Sequence, residues 1–334
     1  MGNIAISGSN LTSLRIGNNQ VNSVYIGNDL IFSTSSRLLD LFPADYAYSL
    51  RKLRTAYTGS CLRVRRTTTT PSVTTTQVDV AFDSNNTISF SSSVSYATGT
   101  ATTATTLGQF VAVGSNPDSI NVSQSLFVSL WYDQSGNGRN MVQATAARQP
   151  RLVETGLLEI VDGSVGIRWI NTAQHNMTGT SGRLIDMSAY TVTNPISSIS
   201  HHVGLITHRG GLTTVEGYVP IRLTDNLTYV YYQQDSSLVF PGITPVAGQD
   251  RLYELLIGPN TSSATTGYSN GELLGAVFTL LPSVSTSVTS LGFVQIASTL
   301  NYMNGHVKEA IVLQGSPQRR FIEYNINSYY NIWS

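Results

Sequence analysis

The chain has 334 residues with 11% charged and a formal net charge of zero at pH 7. An average soluble protein is about 25% charged, so this balance argues against a basic nucleic-acid-binding domain, and 41% hydrophobic residues argue against a charge-driven disordered chain. The longest apolar stretch, Leu273 to Pro282, is too short for a membrane helix, so no membrane insertion is expected.

The first thirty or so residues carry an internal repeat, SLRIGNN followed by SVYIGND. Leu14 and Ile16 alternate with Arg15, and Val24 and Ile26 alternate with Tyr25. That period of two predicts strands. Gly17-Asn18 and Gly27-Asn28 supply turn residues that tolerate positive φ. Two such short units cannot bury a core alone. They are expected to pack on the rest of the chain, on copies of themselves or on another protein. Residues 1–33 resemble the short repeats that open many phage tail and virion proteins, and that resemblance implies an attachment segment with Leu14, Ile16, Val24, Tyr25 and Ile26 as its contact residues; the alternative is an ordinary N-terminal hairpin. A polar linker, Ser33 to Ser36, separates it from residues 37–334.

Leu38 to Tyr57 reads as a helix, with Ala47, Leu50 and Leu53 at helical spacing and Thr58-Gly59 as its stop. Cys61, the single cysteine, cannot form an internal disulfide and is expected to be a buried structural thiol. The Thr-rich run after Arg66 reads as a loop plus an edge strand, and Ser91 to Thr106 reads the same way. From Leu126 onward, short strands with turn signals continue, among them Phe127 to Trp131, Val165 to Ile170, His202 to Thr207, Tyr218 to Leu223, Leu227 to Gln233, Arg251 to Ile257, Gly275 to Leu280, Leu291 to Ala297 and Lys308 to Leu313. Pro317 to Tyr330 reads as a closing helix. Many short strands and little helix predict a mainly β fold, a sandwich.

Candidate chemistry is sparse. In WYDQSGNGRN, Asp133 is placed to accept backbone N–H groups of its own turn while Trp131 points inward, and Gly136 and Asn137 complete the turn. Glu216 and Asp225 form no recognisable catalytic pair. His201, His202 and His208 lack the geometry of a zinc site. No catalytic, metal or cofactor residue is assigned. Arg51, Lys52, Arg54, Arg63, Arg65 and Arg66 form a basic run, expected to bond to turns and to nearby aspartates, not to nucleic acid. The 17 tyrosines include two clusters, YVYYQQ and NSYYNIW, that suit stacking and hydrogen bonding to sugar rings.

Two blocks carry a family resemblance: AYSLRKLRTAYTGSCLRVRR, Ala47 to Arg66, and LWYDQSGNGRNMVQ, Leu130 to Gln143. With the C-terminal GHVKEAIVLQ and RRFIEYNINSYYNIW, they resemble the catalytic-domain core of B-type α-L-arabinofuranosidases, a concanavalin-like jelly roll. The same signature resembles LamG-like modules of bacteriophage structural proteins. The resemblance implies a concanavalin-like β sandwich over residues 37–334. Trp131, Asp133, Gly136 and Asn137 would be fold-signature residues. The arabinofuranosidases carry an adjacent cysteine pair at the sugar site, and this chain does not. The expectation is therefore a non-enzymatic virion protein, a tail fibre, adhesin or capsid decoration. It would bind other virion proteins through residues 1–33 and contact host glycan or neighbouring subunits. A homo-oligomer, a trimer in many such proteins, is expected. The alternative is a glycoside hydrolase of the arabinofuranosidase type.

Overall fold

The computed structural model describes residues 37–68, 74–112, 124–180, 186–196, 246–258, 264–278, 288–296, 299–315 and 318–333, together with the backbone of further short strands at 14–33 and 207–240. Strands β1 (Leu14–Ile16) and β2 (Asn19–Val21) pair antiparallel, with Ile16 opposite Asn19. Strands β3 (Ser23–Ile26) and β4 (Asp29–Ser33) repeat the arrangement, with Ile26 opposite Asp29. Gly17-Asn18 and Gly27-Asn28 lie outside the described residues. Each hairpin is a separate two-stranded sheet. The side chains of Leu14, Ile16, Val24, Tyr25 and Ile26 lie outside the described residues.

The remaining architecture is mainly β, a sandwich with two α-helices among the described residues. One sheet begins with β5 (Ala44–Ser49), which pairs with Gly305–Gln314. That strand pairs with Met187–Pro195, then Arg251–Ile257, then Ala264–Ser269. All of these pairings are antiparallel. The facing sheet is built on β6 (Leu62–Thr68), β7 (Thr74–Val80), β8 (Val94–Gly99) and β9 (Leu126–Trp131), with β6 between β7 and β9.

Alternation along the first sheet explains its composition. Tyr46, Tyr48, Met187, Ala189, Tyr253, Leu255 and Val312 point into the core between the sheets, against Leu62, Val64, Val78, Leu126, Val128 and Trp131. Their neighbours Ala47, Tyr190, Val192, Leu252, Ile311 and Leu313 point the other way, into a second core. Helix α2 (Arg319–Tyr330) closes that core with Ile322, Ile326 and Tyr330, aided by the short turn Leu38–Asp40. The sheet is therefore covered on both faces, and all nine residues of Met187–Pro195 are buried.

This double burial corrects the predicted helix over Leu38 to Tyr57. Only a single 3₁₀ turn forms at Leu38–Asp40, and Ala44–Ser49 is a fully buried strand. A strand buried on both faces loses its polar alternation and imitates helical spacing. The Thr-rich strand β7 is likewise not an edge. It pairs with β6 on one side and β8 on the other. Arg63 and Asp79 stand opposite each other across β6 and β7 and form a two-point ion pair of 2.7 and 3.0 Å. The segment after β8 holds helix α1 (Leu107–Ala112), whose Leu107, Phe110 and Val111 are buried. Cys61 is fully buried, and its thiol donates to the Ser49 carbonyl at 3.2 Å.

Candidate functional site

The turn that follows β9 locks the two sequence blocks together. Asp133 Oδ1 accepts the backbone N–H groups of Ala47 and Ser135, both at 2.9 Å. Its Oδ2 accepts the Arg139 N–H at 3.0 Å and the Ser135 hydroxyl at 2.6 Å. Gln134 accepts from Leu53 N–H at 2.8 Å and donates to the Ser49 and Arg51 carbonyls. Asn137 donates its amide to the carbonyls of Ala44 and Asp45. Gly136 has φ of +95°, and a Cβ there would meet the Arg54 guanidinium at 2.8 Å. Trp131 is fully buried against Tyr48, with ring centroids 6.0 Å apart. All of these partners lie in residues 44–54 or within the turn itself, so this constellation positions backbone, and Asp133 is only 4% exposed. Replacing Asp133 by Ala is expected to cost about 3 kcal/mol, since charge-assisted hydrogen bonds contribute roughly 1.5–3 kcal/mol each and do not add fully. Urea denaturation measures it; a loss under about 1 kcal/mol would contradict this account.

A second network ties the sheet to α2. Arg51 makes two bonds to Glu309, at 2.7 and 3.0 Å, and donates to Asn325 Oδ1 at 3.0 Å. The Ser49 hydroxyl donates to the same carboxylate at 2.6 Å, and the Tyr330 hydroxyl reaches it at 3.3 Å. The Arg51 guanidinium lies 5.0 Å from the Tyr329 ring centroid and 5.6 Å from that of Tyr330.

Helix α2 thus presents three stripes. Ile322, Ile326 and Tyr330 are buried. Asn325, Ser328 and Tyr329 flank them on one side. Glu323, Asn327, Arg320 and Tyr324 flank them on the other. Each flank lines an open depression. The first, about 250 Å³, is walled by Arg37, Lys52, Asn85, Asn86, Ser328 and Tyr329, with Arg51 below. The second, about 320 Å³, is walled by Arg319, Arg320, Glu323, Tyr324, Asn327 and Trp333. Trp333 is pinned by Asn327, which accepts its N–H at 2.9 Å and donates to its carbonyl at 2.8 Å. Tyr324 and Tyr329 are 54% and 40% exposed. The arrangement places aromatic faces beside amides and cations.

Behind the second depression sits a buried carboxyl pair. Glu254, on the Arg251–Ile257 strand, is 1% exposed. Burial first, and then the adjacent Glu323 carboxylate, push its pKa up to about 9, opposed by Arg319 at 3.8 Å. A proton on Glu254 lets it donate to Glu323, while Arg319 pairs with Glu323 and stacks 3.7 Å from the Tyr268 ring centroid. A buried Lys308–Asp250 pair, completed by Asn194, Ser164 and the Val161 carbonyl, is likewise internal.

Sequence reasoning singled out NSYYNIW, and the structure brings its Asn327, Tyr329 and Trp333 to the two depressions. It did not single out Asn85, Asn86, Lys52 or Tyr324 as neighbours, because loop 83–87 and α2 are more than two hundred residues apart. The basic run divides. Arg51 and Arg63 form ion pairs, Arg65 bonds Gln149, and Arg66 bonds the Phe110 carbonyl. Glu216, Asp225, His201, His202 and the side chain of His208 lie outside the described residues, as do the side chains of YVYYQQ.

No protein-family model matches the sequence, and no curated protein matches it. Among solved structures, a variant of a GH54 α-L-arabinofuranosidase soaked with 4-nitrophenyl α-L-arabinofuranoside is 14% identical, with a TM-score of 0.53 over 85% of this chain and 62% of that one. An arabinofuranosidase complexed with arabinofuranosyl-α-1,2-xylobiose is 13% identical, with a TM-score of 0.52 and the same coverage. This chain therefore spans less than two thirds of the length of those enzymes. At such identity the likeness is one of fold, and function has to be read from the site.

Proposed function

We propose that this protein is a bacteriophage virion component, a tail fibre, adhesin or capsid decoration, whose sandwich holds surface glycan by contact and does not cleave it. One observation carries the reading. On a surface poor in charge, exposed aromatic rings, amides and cations gather in two open depressions along α2. Sugar rings combine apolar faces with hydroxyl edges, and such a lining complements both. The attachment role of residues 1–33 is supported by their two short strand pairs, each a separate two-stranded sheet among the described residues, and by the resemblance to virion repeats. The virion setting rests on the sequence resemblance and the low charge.

The rival reading is a glycoside hydrolase of the arabinofuranosidase type, supported by the shared fold. Such enzymes need two accessible carboxyl groups about 5–5.5 Å apart when retaining, or about 6.5–9.5 Å apart when inverting. Glu254 and Glu323 are adjacent, but Glu254 is sealed from solvent. Asp45, Asp79 and Glu309 are bound to arginines.

A glycan array, followed by a reducing-end assay on each glycan bound, separates the two. Binding without released sugar is expected. Tyr329→Ala and Trp333→Ala should each weaken binding about tenfold or more, in line with aromatic contacts of roughly 1–3 kcal/mol, with thermal melts confirming the fold. Sugar release abolished by one Asp or Glu substitution would reverse the conclusion. Deleting residues 1–33 should remove incorporation into particles and leave glycan binding intact.

A further inference from the structure

We propose that Lys308 and Asp250 condense into an isopeptide bond, Lys308 Nζ to Asp250 Cγ, a covalent staple across one end of the doubly covered sheet. The pair is built into the fold. Lys308 lies on the Gly305–Gln314 strand at an irregularity, where Glu309 stands opposite Val192 and Val307 opposite Thr193. Lys308 is the extra residue, and a bulge of this kind re-aims a side chain. Val307 and Ala310, on either side, both face the core between the sheets, whereas Lys308 and Glu309 both reach Tyr330 on the α2 side. Asp250 leads into the Arg251–Ile257 strand, on the far side of Met187–Pro195. The bond therefore spans the central strand and closes a loop between positions 58 apart.

Both side chains are wholly buried and in direct contact. Lys308 Nζ donates to Asp250 Oδ2, and also to the Val161 carbonyl and the Ser164 hydroxyl, each at 2.6 Å, which hold the amine beside the carboxyl. Asn194, at the end of the intervening strand, donates its amide to the other carboxyl oxygen, Oδ1, at 3.0 Å. Burial lowers the pKa of Lys308 and raises that of Asp250, in each case against the pull of the partner, so both lean towards their neutral forms. The Asp162 carboxylate, which accepts the Asp250 N–H at 2.8 Å, adds to the rise at Asp250 and offsets part of the fall at Lys308. Once a proton has passed from ammonium to carboxylate, the desolvated amine is a nucleophile. Nζ attacks Cγ and forms the C–N bond, while the Asn194 amide stabilises negative charge on Oδ1. The Cγ–Oδ2 bond then breaks, and Oδ2 leaves as water with the transferred proton and one more from Nζ. The step is redox-neutral and needs no co-reactant. The amide product keeps one N–H for the Val161 carbonyl or the Ser164 hydroxyl. The Asp162-Gly163 turn between those two residues is exposed, which gives the water a way out.

The test is intact-mass measurement of the purified full chain in denaturant, followed by peptide mapping. Wild type should fall short of its sequence mass by one water, and Lys308→Arg and Asp250→Ala should not. Trypsin should cut wild type after Arg251 but not after Lys308, and fragmentation should place the Asp250 side chain on Lys308. Wild type at its full sequence mass would overturn the proposal. So would a one-water deficit that maps to a succinimide at Asp162-Gly163, with Lys308 still open to trypsin. The mapping needs wild type alone, so it decides even where a variant fails to fold. The bond is independent of the glycan reading: absence of glycan binding leaves the mass deficit in place, and absence of the deficit leaves glycan binding in place.

Discussion

Glu309→Ala is expected to destabilise the protein by about 3–5 kcal/mol, because it strands a buried guanidinium. Glu309 is fully buried and the Arg51 side chain is 7% exposed. Arg51 would keep its bond to Asn325 but lose both carboxylate contacts, and the Ser49 and Tyr330 hydroxyls would lose their common acceptor. Changing both partners, Arg51→Met with Glu309→Leu, should recover most of the loss, since a well-packed apolar pair avoids the desolvation of two ions. Chemical denaturation of the two single variants and the double variant gives the cycle. A single-variant loss under about 1 kcal/mol would mean that water reaches the site and screens the charge. The network also bears on the proposed glycan contact. Arg51 lies beneath the Tyr329 ring, so glycan affinity should fall in Glu309→Ala even where the fold survives.

Much of this fold was legible because its strands obey local rules. The GHVKEAIVLQ strand and the closing helix stand where the pattern placed them, at Gly305–Gln314 and Arg319–Tyr330. The alternating segments around Leu14 and Val24 form paired strands. What escaped was tertiary. Met187–Pro195, at the centre of one sheet, reads MSAYTVTNP, and its Ser, Thr and Asn residues mask a strand with no exposed face. Those polar groups sit buried in a doubly covered sheet, which no single-sequence pattern announces. The helix expected near Ala47 failed for the same reason. The depressions were half visible. Tyrosine clustering marked one wall, but Lys52, Asn85 and Asn86 join it only through the register of β5 with Gly305–Gln314 and the docking of α2.

Glu254→Gln should flatten the pH dependence of stability above neutrality. The folded-state pKa of Glu254 is raised from 4.5 to about 9, first by burial and then by Glu323. Between those two values the folded protein holds a proton that the unfolded chain has released. The stabilisation is therefore complete below about pH 4.5 and is lost as pH rises towards 9, by up to about 1.4 kcal/mol per pH unit. His175 works in the opposite sense over part of that range. Burial lowers its pKa from 6.5 to about 4, so stability from this residue rises with pH between those values. The two slopes oppose each other below about pH 6.5, and the decline due to Glu254 emerges from pH 6.5 to 9. Glutamine keeps the shape, carries no titrating proton, and its amide can donate to Glu323 as the protonated acid does. Wild type and Glu254→Gln should differ little at pH 5, and the variant should be the more stable by roughly 2 kcal/mol or more at pH 8. Urea midpoints across pH 5 to 9 measure this. Parallel curves would show that Glu254 is ionised in the folded protein, with Arg319 bearing its charge instead of a shared proton. Because Glu323 and Arg319 line the second depression, the same titration would load negative charge behind that wall, and glycan affinity there should weaken over the same pH range in the wild type alone.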